Sequence, residues 1–110
     1  MAYDETLADR IRAAAADLTG DVTERKMFGG LAFMLNGHMF AGVVDEDLML
    51  RLGEPAASHA LSRPHVREMD FTGRPMKGMV FVEPGGLDGP ALGHWVGEAA
   101  AFAGSLPAKA

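Results

Sequence analysis

Any chemistry in this 110-residue chain has to come from a few polar groups, so their spacing is weighed first. His38, His59, His65 and His94 are scattered along the sequence. None has a second histidine four residues away and no HExxH run occurs, so the helical zinc pattern is missing. His59 and His65 could converge with Glu68, but their spacing does not require it. The densest acidic run is Asp45-Glu46-Asp47. It lacks the alternating oxygen ligands and closing glutamate of a calcium loop, and it reads as a solvated turn. Ser58, Ser62 and Ser105 sit in no nucleophile-elbow pattern. No nucleophile–base pair can be assembled, and the expectation is a non-catalytic protein without cofactor or metal.

Two further sets of residues offer binding chemistry. Gly29-Gly30, with Arg25 and Lys26 just before it, is a candidate contact for a small molecule, nucleotide or anion. A phosphate cradle normally needs a helix start directly after the glycines, and here an apolar strand follows. The same pair also suits a bulge or a close approach of backbones. The second set is the weakly basic stretch of Arg63, Arg67, Arg74 and Lys77, interrupted by Glu68 and Asp70. It forms a local dipole on a chain of net charge −5 and pI near 5.2, a balance that argues against nucleic acid as a direct partner. Weak DNA binding is left as a minor alternative.

The elements that position these residues are organised around residues 27–52. Asn36-Gly37 separates LAFML from HMFAGVV, the signature of a two-residue type I′ hairpin. Extending that turn pairs Met34 with Met39, Phe33 with Phe40 and Ala32 with Ala41. A three-residue acidic connection would then pair Val44 with Leu48 and Ala41 with Arg51. This register predicts a core face of Leu31, Phe33, Leu35, Phe40, Val44, Leu48, Leu50 and Leu52. The opposite face holds Ala32, Met34, Met39, Ala41, Val43, Met49 and Arg51. An uncovered antiparallel face should be polar, and this one is not. Methionine suits adaptable contacts. Met34, Met39, Val43, Met49 and Arg51 are therefore a candidate surface for a protein partner or a second copy, unless a helix of the same chain covers them.

The remaining chain supplies helices and further strands. Asp4 to Leu18 carries the stripe Leu7, Ile11, Ala14, Ala15 and Leu18, with Asp4 as N-cap. Thr23 to Phe28 reads as a strand, Glu54 to Ser62 as a short helix, and Val66 to Phe71 as an edge strand. Thr72 to Pro75 reads as a turn and Met79 to Val82 as another strand. Asp88 caps a last helix with Leu92, Trp95, Val96, Ala99, Phe102, Ala103 and Leu106 on its apolar side. The order α-β-β-β-β-α-β-β-α implies a two-layer α+β fold. Its antiparallel sheet has about five to six strands, flanked by N- and C-terminal helices, within a single domain over 1–110. The absence of cysteine fits a reducing cytoplasm. The first residues lack the pattern of a signal peptide, and no apolar run reaches the ~20 residues that span a bilayer.

The run Arg25-Lys26-Met27-Phe28-Gly29-Gly30, Asn36-Gly37, Met39-Phe40-Ala41 and the acidic turn resembles the N-terminal domain of the TfoX/Sxy family. Phe71, Met79, Val82-Glu83-Pro84 and Trp95 extend the resemblance over about Leu7 to Ala103. The resemblance implies a compact α+β domain and a bacterial setting. Members with both halves regulate competence genes, are held to act with the cyclic-AMP receptor protein, and carry a second, helical C-terminal domain. The family has no established catalytic residues. It therefore implies a regulatory or protein-interaction domain, and the methionine face adds the expectation that it is dimeric through its sheet or sheet edges.

Overall fold

The computed structural model describes residues 3–18, 20–27, 29–54, 56–70 and 75–106. Helix α1 spans Glu5–Ala15. Its start is set by Asp4, whose carboxylate accepts from the backbone N–H groups of Thr6 (2.9 Å) and Leu7 (3.2 Å), two donors that have no partner within the helix. The helix ends short of the expected Leu18, because the Leu18 N–H closes a tighter turn onto the Ala15 carbonyl at 3.0 Å. Then come β1 (Val22–Met27), β2 (Gly30–Leu35), β3 (His38–Val44), β4 (Asp47–Arg51), α2 (Ala56–Ala60), β5 (Val66–Asp70), β6 (Pro75–Val82), a 3-10 turn at Pro84–Gly86, and α3 (Ala91–Gly104). The element order is the one read from the sequence. The expected turn over Thr72 to Pro75 lies outside the described residues except at Pro75, which opens β6. Asp88 does not cap α3. Its carbonyl accepts from the Ala91 N–H at 3.2 Å, and Pro90, which has no N–H to satisfy, stands directly before the helix.

The strands form one antiparallel sheet in the order β1-β2-β3-β4-β6-β5. The hairpin at its centre turns at Asn36 (φ 53°) and Gly37 (φ 87°), the two left-handed positions of a type I′ turn. Asn36 also ties the tip to the start of β1. Its N–H donates to the Asp21 carbonyl at 2.9 Å, and the Asp21 N–H donates to Asn36 Oδ1 at 3.0 Å.

Beyond the tip the register departs from the simple hairpin. Leu35 faces His38 and Met34 faces Met39, but Phe33 faces Ala41 and Ala32 faces Gly42. A bulge puts one extra residue into β3, so Phe40 and Ala41 both join the helix-side core. Val43 follows them inward and is fully buried there, while Val44 turns outward. The next connection is also one residue tighter than expected, with Val44 opposite Asp47 and Val43 opposite Leu48. The two shifts cancel. Leu48, Leu50 and Leu52 face the helices as predicted, and Met49 faces away. In the register the correction falls on β3: Ala41 and Val43 leave the outer face, and Val44 joins it.

The three described helices all pack on one side of the sheet. Leu7 and Ile11 of α1, Ala57 and Ala60 of α2, and Leu92, Trp95 and Val96 of α3 share one core with Phe33, Phe40, Leu48, Leu50 and Val80. Fully burying one such large apolar side chain stabilises the fold by about 1.5–3 kcal/mol.

Candidate functional site

Two surfaces have chemistry that packing alone does not use up: the outer face of the sheet, and a cleft between α2 and α3. On the outer face the pairings line up one row across all six strands, Arg25, Ala32, Gly42, Met49, Phe81 and Arg67. Gly42 leaves a slot in this row. A β-carbon there would lie 2.5 Å from the Met49 methyl, so Met49 lies across the glycine and is buried with no described helix above it. Ala32, Met49, Met79 and Phe81 form the buried part of the outer cluster, with Met34, Met39 and Val44 half-buried against it. Every one of these residues is on a strand; none of the described helical residues joins them.

The edges of this face are charged. The Arg67 guanidinium lies 4.5 Å from the Phe81 ring centre, contacts the Asp47 carboxylate and reaches Glu83 Oε2 at 3.5 Å. Arg25 is exposed at the other end of the row. Arg51 departs from the reading that placed it with the methionines. Its guanidinium lies 5.5 Å from the ring centre of Phe102 on α3.

The glycine pair has a structural use in the hairpin. Met27 faces Gly30 across the β1–β2 hairpin, and Gly29 takes φ 72° in the connection. A β-carbon on Gly30 would lie 2.1 Å from the Val43 carbonyl oxygen, so Gly30 is where β2 crowds the β3 backbone. Arg25 faces Ala32 and Lys26 faces Leu31, and these partners belong to opposite faces of the sheet. The structure therefore does not gather Arg25, Lys26, Gly29 and Gly30 around one point.

The charged residue next to them, Glu24, faces the helix side and receives Arg12 of α1 in a two-pronged pair at 2.7 and 2.8 Å, with Asp9 at 2.7 Å on the same guanidinium. The hydrogen bonds that Arg12 donates hold the Glu24 carboxyl below its ordinary range, and the same bonds push the Arg12 pKa up. This pair fastens α1 to the edge strand.

The basic stretch also comes apart. Arg67 serves the outer face, whereas the Arg63 guanidinium lies 4.3 Å from the ring centre of Trp95 on the helix side. Arg74 lies outside the described residues, as does the side chain of Lys77. His59 and His65 line different cavities, and no group of three metal-binding side chains exists among the described residues. The His65 ring lies against Gly85, where a β-carbon would come within 2.6 Å of it. Ser62 and Ser105 donate to the carbonyls of His59 (2.7 Å) and Phe102 (2.6 Å), closing the ends of α2 and α3.

The cleft was not foreseen from the sequence. It holds about 500 Å³ and has an apolar floor of Leu52, Ala56, Ala60, Trp95 and Ala101. His59, Arg63 and Glu98 carry its polar groups. A smaller cavity of about 240 Å³, reaching His65 and Asp88, adjoins it across the Arg63–Trp95 pair. An arginine just past a short helix and the chain's only tryptophan are visible in the sequence, but thirty-odd residues and two strands separate them, and no local pattern pairs them.

No helix of the described residues is long and apolar enough to cross a membrane. Searches of curated proteins and of solved structures found no match. A family model described as the TfoX N-terminal domain matches residues 14–103, a span that runs from the end of α1 through α3 and contains the whole sheet. The chain belongs to the TfoX N-terminal domain family.

Proposed function

We propose that this domain is a non-catalytic regulatory module of the bacterial cytoplasm that works through protein contact, with the outer sheet face as its contact surface and a second copy of the chain as the occupant. The observation that supports this reading is the all-strand composition of the outer cluster, with apolar Met34, Met39 and Val44 half-exposed around it. Among the described residues Met34, Met39, Met49 and Met79 lie on that face, where flexible thioethers suit an adaptable contact. A two-fold axis parallel to the strands lays the β1 edge, with exposed Arg25, over the β5 side of the other copy, where Asp47 and Glu83 together outweigh the charge of Arg67, so that charge leaves the apolar centre of the face free to pair with itself. Family membership supports the regulatory role; a part in competence or transcription belongs to the same proposal.

The test is sedimentation of the wild type and Met39→Glu across a concentration series. The wild type should sediment as a dimer, and the variant as a monomer with an unchanged circular dichroism spectrum. A wild type that is monomeric throughout removes the self-pairing. A variant that unfolds shows that the face is internal core. Direct DNA binding would appear as a gel shift at low salt; none is expected, since the arginines of the basic stretch that can be placed are separated and Arg67 is ion-paired.

A further inference from the structure

The α2–α3 cleft lies on the helix side of the sheet, away from the proposed contact face, and its contents suit a small ligand. Its volume of about 500 Å³ falls within the roughly 300–1,000 Å³ of small-molecule sites, whose usual make-up is an apolar body with a few polar groups. Arg63 is the informative member. Its guanidinium carbon lies over the Trp95 ring, 4.3 Å from the ring centre, yet among the described residues the guanidinium makes no hydrogen bond and no ion pair. A guanidinium stacked on an indole still directs its N–H donors outward in the plane, in the fork that matches a carboxylate. The remaining charge limits the ligand. Glu98 lines the same cleft and Asp88 the adjoining cavity, so a dianionic phosphate would face two carboxylates with one arginine to offset them. A monoanion with an apolar body meets Arg63 at one end and Leu52, Ala60 and Ala101 along its length.

We propose that this cleft binds a small apolar carboxylate, oriented by the guanidinium of Arg63 on Trp95. The bland alternative is that Arg63 only fastens the end of α2 to α3. The two readings differ in whether the site distinguishes a carboxylate from its neutral isostere.

Trp95 is the only tryptophan in the chain, so its fluorescence reports the cleft and the cavity that adjoins it, and the amide shifts tell the two apart. The full chain is titrated with 4-phenylbutanoate and with 4-phenylbutanamide, and the contact is mapped by amide chemical shifts. The expected result is a saturable emission change with the carboxylate, at least tenfold tighter than with the amide, and shifts centred on Leu52, Ala60 and Ala101. Arg63→Gln should bring the two probes to equal affinity, and Glu98→Gln should tighten the carboxylate by removing a like charge. Ala101→Phe, at an exposed position of α3, should fill the cleft and abolish binding, and it keeps the test decisive if Arg63→Gln fails to fold. No saturable change, equal affinity for both probes, an undiminished preference in Arg63→Gln, or binding that survives Ala101→Phe overturns the proposal. The outcome is independent of sedimentation, which reads the other face of the sheet.

Discussion

Gly30→Ala is the sharpest test of the physical account, because the sequence offered Gly30 as a ligand contact and the structure makes it a packing requirement. The added methyl would sit 2.1 Å from the Val43 carbonyl oxygen and 3.1 Å from Val44 Cγ2. A side chain could swing aside, but a backbone carbonyl in the ladder between Leu31 and Val43 cannot move without weakening the ladder. Overpacking typically costs ~1–3 kcal/mol, and a lost backbone hydrogen bond adds ~1 kcal/mol. The expected cost is therefore ~2–4 kcal/mol, or roughly 12 °C in Tm at the middle of that range for a domain of this size. Gly29→Ala is the control. It meets nothing within 4 Å and pays only for φ 72°, about 1–2 kcal/mol. Urea unfolding of both variants beside the wild type measures the difference. If Gly30→Ala falls within ~0.5 kcal/mol of the wild type, or costs less than Gly29→Ala, the crowding argument fails.

Two more outcomes can be measured. Glu24→Gln should cost ~0.5 kcal/mol at neutral pH, because the Arg12–Glu24 pair is partly exposed and screened. Since the Glu24 carboxyl is depressed in the folded state, that stabilisation is complete above the ordinary glutamate pKa and lost as pH falls through the folded value; the two unfolding curves should converge in acid, and a constant gap would contradict the pairing. Gly53→Ala should destabilise strongly, since φ is +76° and a β-carbon would lie 2.4 Å from the Phe102 ring; on a Phe102→Leu background the penalty should shrink by at least ~1 kcal/mol in a double-mutant cycle.

How much was legible followed from how local each signal was. The Asn36-Gly37 turn and the Asp4 cap depend on neighbours within a few residues, and both stand as read. The alternation of β2 and β4 is also local, which is why their faces were predictable. The bulge that brings Phe40 and Ala41 inward is marked in β3 only by Gly42, whose role depends on other strands: it makes room for Met49 of β4, while Phe33 of β2 takes Ala41 as its partner. Val43 was misplaced for that reason. Gly29-Gly30 was ambiguous because a close backbone approach and an anion cradle ask for the same residue. The Arg63–Trp95 and Arg51–Phe102 stacks join elements distant in sequence, and only the tertiary fold brings them together.

The Arg51–Phe102 stack also determines which residues can test the contact face. Arg51 stands opposite Met79 on the sheet, yet its guanidinium lies over Phe102. Phe102 presses on Gly53, and the Leu52 and Gly53 N–H groups both donate to the Gly78 carbonyl at 2.8 and 3.0 Å. Gly78 takes φ 82° and approaches Gly53 too closely for larger residues to be neutral there. Removing Arg51 would therefore disturb how α3 meets the sheet, and a lost dimer could then be blamed on either change. Met49 is no better, because it fills the slot above Gly42 and its truncation would open a cavity. Met39 and Met34 are half-buried, oppose each other across the hairpin, and have no described contact with a helix. A charge at either position meets solvent in the monomer and an apolar surface in the dimer. That difference lets a single substitution separate association from folding.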